Sequence, residues 1–189
     1  MTDTTLDGLA FRTAAEPAPS ALTEADTEAI RQLFARYSQT LDFGDVEGFA
    51  GCFAEDGVLD TSSPEEGLTG IHRGHEELCR FAAEAVEYSA GRVRQSALNI
   101  LIDGDGEVAR ASSYAVVTRA HPDATNPHGK PSQVTHSVLA TTGMYFDRLA
   151  KIDGRWVFAL RQFRHDGLPD VLDRLDAPIT IGPTGGDRR

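Results

Sequence analysis

The sequence predicts an α+β fold in which about three helices precede a curved antiparallel β-sheet. Two observations lead to this prediction. Between residues 22 and 90, apolar side chains recur at helical spacing. After residue 92 the pattern changes to alternating runs, separated by the tight-turn sequences DGDG (103–106) and DG (153–154). Helices followed by strands that are joined mostly by hairpins are typical of the α+β class.

The first helix begins at a capping signature. Thr23 is followed three residues later by Asp26, and Leu22 is placed to act as a hydrophobic staple. Gly44 ends the helix. The predicted buried face consists of apolar residues at helical spacing: Ile30, Leu33, Phe34, Tyr37 and Leu41.

Two further helices are predicted before the sheet. Asp45 can cap the segment DVEGFAGCFAED, which would bury Phe49, Cys52 and Phe53 and end at Gly57, where the extended run VLDT begins. Residues 61–74 form a predicted polar loop. The third helix starts near His75 and ends at Gly91. Its predicted buried face is formed by Leu78, Phe81, Ala82, Ala85 and Val86.

At least four strands follow the helices. They are expected at about 92–102, 107–120, 133–152 and 155–165, and the proline-rich segment HPDATNPHGKP (121–131) is read as a connection. Residues 1–21 are expected to be a flexible arm, and 22–167 a single α+β domain. Residues 168–189 are a C-terminal segment whose first part can form a short lid helix or a frayed tail.

Charge and composition exclude several functional classes. The net charge is -11 and no basic stripe is present, which argues against nucleic acid or an anionic membrane as a partner. The chain shows no apolar run of membrane-spanning length and no signal-peptide pattern, so a cytoplasmic protein is predicted. Cys52 and Cys79 lie on apolar helix faces and are interpreted as small core residues, with a disulfide between them left open.

Four segments carry a family resemblance when they are taken in order. The segments LDFGDVEGFAGCFAEDGVLD, GHEEL, LNILIDGDGEVARASSY and GMYFDRLAKIDGRWVF resemble the SnoaL-like branch of the nuclear-transport-factor-2-like superfamily, over residues 22–165. The resemblance implies a cone-shaped, strongly curved mixed or antiparallel β-sheet wrapped around about three N-terminal helices, with an apolar pocket inside. Relatives include polyketide cyclases, scytalone dehydratase, ketosteroid isomerase and limonene epoxide hydrolase, while others only bind ligands or proteins. Function must therefore be argued from the site.

Asp42 and Tyr37 are the predicted catalytic residues. In the dehydratase-like relatives an aspartate at the place of Asp42 helps to orient a water or a substrate hydroxyl. At the edge of an apolar pocket such a carboxylate would be partly desolvated and suited to acid–base work. The alternative is that Asp42 accepts backbone N–H groups in the turn between the helices, where Asp45 is expected to act as a cap. Tyr37 can donate from its phenol or simply pack in the core.

The substrate-binding residues are predicted from the same resemblance. Many relatives carry a histidine four residues before an asparagine; here those places hold Gln95 and Asn99, on one sheet face if the strand is regular. Glutamine can hydrogen-bond a substrate but cannot exchange protons near neutral pH. Other polar positions of the dehydratases fall near Thr61, Thr118 and Tyr145, so of that polar set only Asp42 is retained.

The remaining histidines and arginines give weaker hypotheses. His136 lies within a predicted strand and is interpreted either as a surface or interface histidine or as the replacement base, although regular alternation puts it on the face opposite to Tyr145. His72 and His75 lack an evident third ligand, so no metal and no cofactor are expected. Arg161 and Arg164 point to opposite faces, and one of them could reach Asp42 or a substrate carboxylate.

Three functions are compatible with these residues. The first is a cofactor-free cyclase, isomerase or dehydratase that acts on a small, largely apolar, oxygenated substrate of polyketide or terpenoid type. The second is a non-catalytic ligand-binding or accessory protein, in which the absence of the usual histidine reflects the loss of catalysis. The third is the small structural subunit of a ring-hydroxylating oxygenase, which would need a large partner. Relatives pair through their sheets, so a homodimer is expected.

Overall fold

A computed structural model describes residues 21–61, 70–122 and 134–166. The described elements, in chain order, are α1 (Glu24–Phe43), α2 (Val46–Ala50), β1 (Phe53–Asp60), β2 (Ile71–Arg73), α3 (Gly74–Ser89), β3 (Val93–Gly104), β4 (Val108–Pro122), β5 (Val134–Ile152) and β6 (Arg155–His165). The predicted arm and the C-terminal segment lie outside the described residues, except Ala21. No described helix is long and apolar enough to cross a membrane.

The strands form one six-stranded sheet in the order β2-β1-β6-β5-β4-β3. Neighbouring strands are antiparallel except β1 and β6, which run parallel. The predicted fold class, an α+β fold with a curved sheet around the helices, is confirmed. The three helices pack on one face of the sheet, and the core between the layers is rich in aromatic side chains. This arrangement leaves room for a pocket between α1, α3 and the long strands.

Helix α1 forms as its sequence predicts. The Thr23 hydroxyl accepts a hydrogen bond from the Asp26 backbone N–H at 3.1 Å, and the Thr23 N–H donates to the Asp26 carboxylate at 3.3 Å, which completes a capping box. Gly44 ends the helix at φ 81°, a conformation that glycine adopts without steric cost. All five residues of the predicted apolar face are buried.

The second predicted helix is too long, because its last third belongs to a strand. Asp45 caps α2 as expected, accepting from the Gly48 N–H at 2.9 Å. The Cys52 carbonyl, however, accepts a hydrogen bond from the Phe158 N–H at 2.9 Å. Pairing with β6 thus replaces the next helical bonds, and β1 already starts at Phe53. Gly57 lies in the bulge of β1, where a Cβ atom would come within 2.8 Å of the Phe53 Cβ atom.

Two predicted loops have different bounds in the structure. The expected polar loop at 61–74 contains the short strand β2, which pairs with the end of β1. The expected proline-rich connection begins later, since β4 runs through His121 to Pro122. The helix predicted near His75 forms as α3, and Val86 is the one residue of its predicted face that is only partly buried.

Candidate functional site

A pocket of about 470 Å³ lies between the helices and the sheet. This volume falls within the usual range for small-molecule sites. Most of its wall is apolar, with Phe81 and Ala85 from α3, Val117 from β4 and Phe163 from β6. Polar and phenolic side chains also line it: Tyr37, Asp42, Thr61, Tyr88, Ser89, Gln95, Arg119, Thr141, Tyr145 and His165.

Asp42 is held at the pocket wall by the sheet. The Gln95 backbone N–H donates to both carboxylate oxygens of Asp42, at 3.3 and 3.2 Å. The carboxylate is therefore tied to β3 and does not cap the turn between the helices, where Asp45 has that role. Partial burial raises the pKa of Asp42, against the opposing effects of the Gln95 N–H and the Arg94 guanidinium. Such a carboxylate can accept and return protons near neutral pH more readily than an exposed one.

Two buried phenols lead into the pocket. The Tyr145 hydroxyl donates to the Gln95 side-chain oxygen at 3.3 Å, and a hydrogen bond joins Tyr37 to Tyr145. Both rings are almost fully buried, at 2% and 6% exposure. Burial is the main cause that raises the pKa of each phenol, so both stay protonated and act as hydrogen-bond donors. Both residues line the pocket.

His165 lines the pocket although the sequence analysis overlooked it. It is the last residue of β6, where its Nδ1 atom lies 3.0 Å from the Thr141 hydroxyl and its ring packs edge-on against Phe163. The alternation of β6 could have revealed it. Phe163 and His165 are two residues apart and so share a sheet face. The pocket therefore has an imidazole, but not at the position of Gln95, where the family resemblance implies a histidine in many relatives.

Three predicted binding residues lie outside the pocket. Asn99 is exposed because it adopts φ 52° in a bulge between Leu98 and Leu101, which interrupts the alternation that would have placed it beside Gln95. Thr118 lies between two pocket residues of β4, so it points to the other face. His136 is exposed and stacks on His121 with ring centroids 5.4 Å apart.

The predicted residues Asp42, Tyr37, Gln95, Thr61 and Tyr145 do line the pocket. Thr61 is held by Gly70, the residue before β2, because the Thr61 N–H donates to the Gly70 carbonyl at 2.8 Å. No observation tests their catalytic or binding roles, which stay predictions. The structure nevertheless brings a carboxylate, an amide and two phenols onto one wall.

Neither arginine of β6 reaches Asp42. Arg164 donates to the Asp60 carboxylate at 3.1 Å. Arg161 is completely buried, and its Nη1 atom lies 3.6 Å from the Asp147 carboxylate. The Arg161 guanidinium carbon lies 3.7 Å from the centre of the Tyr145 ring and 4.2 Å from that of Tyr37. This buried ion pair, here called the arginine cluster, thus lies directly behind the two phenols of the pocket.

A strongly curved sheet that encloses helices and a pocket defines the nuclear-transport-factor-2-like class of folds. Within this class the chain belongs to the SnoaL-like family, since the family model of the SnoaL-like domain matches residues 23–162. No curated protein sequence matches the chain significantly.

Solved structures show the same fold. Rv3472, a protein of unknown function from Mycobacterium tuberculosis, is 32% identical, with a TM-score of 0.63, over 78% of this chain and 80% of its own. A protein of unknown function with a cystatin-like fold from Nostoc punctiforme is 30% identical, with a TM-score of 0.62, over 78% of this chain and 97% of its own. ActVI-ORFA from Streptomyces coelicolor is 20% identical, with a TM-score of 0.60, over 75% of this chain and 98% of its own, and shows the fold alone.

Proposed function

We propose that the protein is a cofactor-free enzyme that moves protons on a small, largely apolar, oxygenated substrate, in a cyclisation, isomerisation or dehydration. One observation supports this most strongly. A partly buried carboxylate, a buried phenol and an imidazole, those of Asp42, Tyr145 and His165, line one apolar pocket of about 470 Å³. Family membership is consistent with this activity, because SnoaL-like proteins include cyclases and dehydratases.

Asp42 is the proposed base. Its carboxylate would remove a proton from a carbon next to a substrate carbonyl, and the electron pair would move to the carbonyl oxygen. Desolvation, which raises the pKa of Asp42, brings its basicity closer to that of the carbon acid. The Gln95 N–H holds both oxygens in place before the reaction, so little reorganisation is needed.

Tyr145 and Gln95 would stabilise the enolate that forms. The Tyr145 hydroxyl donates to Gln95 across 3.3 Å, which is long for an O–H···O bond, and it can turn to a substrate oxygen that becomes negative. The Gln95 amide offers two further N–H donors. Donors that point at developing charge in a water-poor pocket are worth more than the same donors in water.

His165 would complete the reaction. In a ring closure the enolate carbon attacks a second carbonyl carbon, whose oxygen then needs a proton. An imidazole can give or take a proton near neutral pH, and the Thr141 hydroxyl fixes the ring through Nδ1, which leaves Nε2 for the substrate. In an isomerisation the proton that Asp42 removed would instead return to a different carbon of the substrate.

Proton exchange from carbon tests this proposal without knowledge of the natural substrate. A panel of small β-diketones and cyclic ketones is incubated with the protein in heavy water, and deuterium incorporation is followed by mass spectrometry. Asp42→Asn should slow exchange by about 10² to 10⁴-fold, the usual contribution of a general base. The control Asp105→Asn alters a carboxylate of the β3–β4 turn, bonded to the Glu107 and Val108 N–H groups, and should leave the rate unchanged.

The main alternative is a ligand-binding protein without turnover. The glutamine at position 95, where many relatives carry a histidine, favours it. Panel compounds that bind with no exchange above the background rate would support this alternative and contradict the enzyme. A wild-type exchange rate in Asp42→Asn would instead remove Asp42 from the mechanism.

A homodimer is also proposed. Apolar side chains are exposed on the sheet face opposite to the pocket, among them Leu98, Leu101, Tyr114 and Leu139. A second copy of this chain would cover them, as sheets with an apolar outer face require. Sedimentation should give a dimer for the wild type and a monomer for Tyr114→Asp. A monomeric wild type would contradict the proposal.

A further inference from the structure

A histidine, a cysteine and a glutamate meet on the surface between α2 and α3, apart from the pocket. His75 and Cys79 are four residues apart on α3, so they project from one helix face, and Glu47 reaches them from α2. The His75 Nε2 atom lies 3.0 Å from one Glu47 oxygen, and the Cys79 sulfur lies 3.9 Å from the other. The three ligand atoms all lie within 4.8 Å of one another.

These separations are close to those of a metal centre. Zinc bonds to nitrogen, oxygen and sulfur are about 2.0 to 2.3 Å long, which places tetrahedral ligand atoms about 3.3 to 3.8 Å apart. The side chains of His75 and Glu47 are 57% and 80% exposed, so they can make the remaining adjustment by rotation.

We propose that Glu47, His75 and Cys79 form a three-ligand site for Zn²⁺ or a similar late transition-metal ion, with water or a further ligand in the fourth position. The donor set selects this class of ion. A thiolate and an imidazole suit zinc, cobalt or nickel, whereas magnesium and calcium prefer oxygen atoms alone. From the sequence alone no metal is expected, because His75 is considered there together with His72. The His72 ring instead packs against Phe81, with ring centroids 4.7 Å apart.

Cys79 is accessible to such an ion. Its side chain is only partly buried and packs against the core, whereas that of Cys52 is buried. Its sulfur therefore lies beside Glu47 at the surface, where a cation can reach it.

A bound ion would join the two helices beside the pocket. Phe49 of α2 stacks on Phe81 of α3, with ring centroids 5.9 Å apart, and Phe81 lines the pocket. A metal bridge across the outer faces of the same helices would hold this aromatic pair in place. The proposal does not depend on the proposed enzyme activity, because its evidence and its test lie outside the pocket.

Cobalt titration tests the site directly. The full chain is treated with a chelator, desalted and titrated with Co²⁺, a spectroscopic substitute for Zn²⁺. We expect a thiolate-to-cobalt charge-transfer band in the near ultraviolet that Zn²⁺ abolishes by displacement. Cys79→Ser should remove the band, and His75→Ala should weaken binding by more than about tenfold, because loss of an outer-shell partner alone costs that much.

Two control variants separate the site from unspecific binding. Cys52→Ser changes the buried cysteine, and His72→Gln changes the neighbouring histidine; both should keep the band and the affinity of the wild type. Zn²⁺ should also raise the midpoint of thermal unfolding for the wild type but not for His75→Ala. The absence of a charge-transfer band in the wild type, or its persistence in Cys79→Ser, would overturn the proposal.

Discussion

Two buried aspartates, Asp26 and Asp147, show opposite ways of placing a carboxylate in this fold. Asp26 accepts hydrogen bonds from the Thr23 cap, from the Lys151 ammonium at 2.8 Å and from the Trp156 indole at 2.9 Å. Asp147 has only the Arg161 guanidinium at 3.6 Å, and no described group hydrogen-bonds to either of its oxygens. The first carboxylate is fully satisfied, and the second is not.

The electrostatic consequences also have opposite signs. The hydrogen bonds of Lys151, Thr23 and Trp156 lower the pKa of Asp26 far below its usual value. Burial raises the pKa of Asp147 to about 7, although Arg161 acts against this shift. Asp26 ties α1 to the sheet and has no contact with the pocket. The arginine cluster lies against Tyr145, so the poorly satisfied charges are the ones next to the proposed site, as is common for functional groups.

Removal of the arginine should give the largest effect. Arg161→Met leaves the Asp147 carboxylate buried and unpaired, so the free energy of unfolding at pH 8 should fall by about 3–5 kcal/mol. The double variant Arg161→Met/Asp147→Leu should recover most of this loss, because no buried charge then remains. Urea denaturation of both variants measures the difference. A double variant no more stable than the single one would mean that packing, not charge, explains the loss.

The pH dependence of Asp147 should be the next largest effect. The folded-state pKa of Asp147, about 7, lies above its pKa in the unfolded chain. The contribution of this group to stability is therefore fully present below about pH 4 and is lost as pH rises to about 7. Between these pH values the wild type should therefore lose unfolding free energy relative to Asp147→Asn, whose side chain stays neutral. A stability difference between the two proteins that does not change with pH would contradict a raised pKa for Asp147.

The smallest effect is expected at the satisfied aspartate. Trp156→Phe removes one of several donors to Asp26, so it should cost a small fraction of the Arg161→Met loss. Because the folded pKa of Asp26 is lowered, the stability from its ionised form is present above about pH 4 and is lost as pH falls. Urea unfolding at pH 7 and pH 3 should show the same small loss for the variant, because the lowered pKa keeps Asp26 ionised in the folded protein at both pH values. A larger loss in acid would exclude this explanation.

Local signals in the sequence were sufficient for part of this structure. The caps at Thr23 and Asp45 and the Asp-Gly hairpins depend on residues within a few positions of each other, and they form as predicted. The family resemblance supplied the placement of Asp42 and Gln95 near one pocket. These features need no knowledge of distant contacts.

The features that could not be predicted depend on pairing between distant strands. Phe53 fits a helical pattern, but its neighbour Cys52 bonds to Phe158, more than a hundred positions later. The bulge at Asn99 follows from the register with β4 and removes this residue from the pocket. The metal ligands were missed for a similar reason, since Glu47 and His75 meet only when α2 and α3 pack together.

The parallel pairing of β1 with β6 has a consequence for folding during protein synthesis. β6 follows every other described strand in the chain, yet it lies in the middle of the sheet between β1 and β5. Until residues 155–165 have left the ribosome, the half-sheets β2-β1 and β5-β4-β3 cannot be joined, and the edge that each presents to β6 has no partner. The same residues supply Arg161, Phe163 and His165, so the pocket and the connection between the half-sheets are completed in a single late step of synthesis.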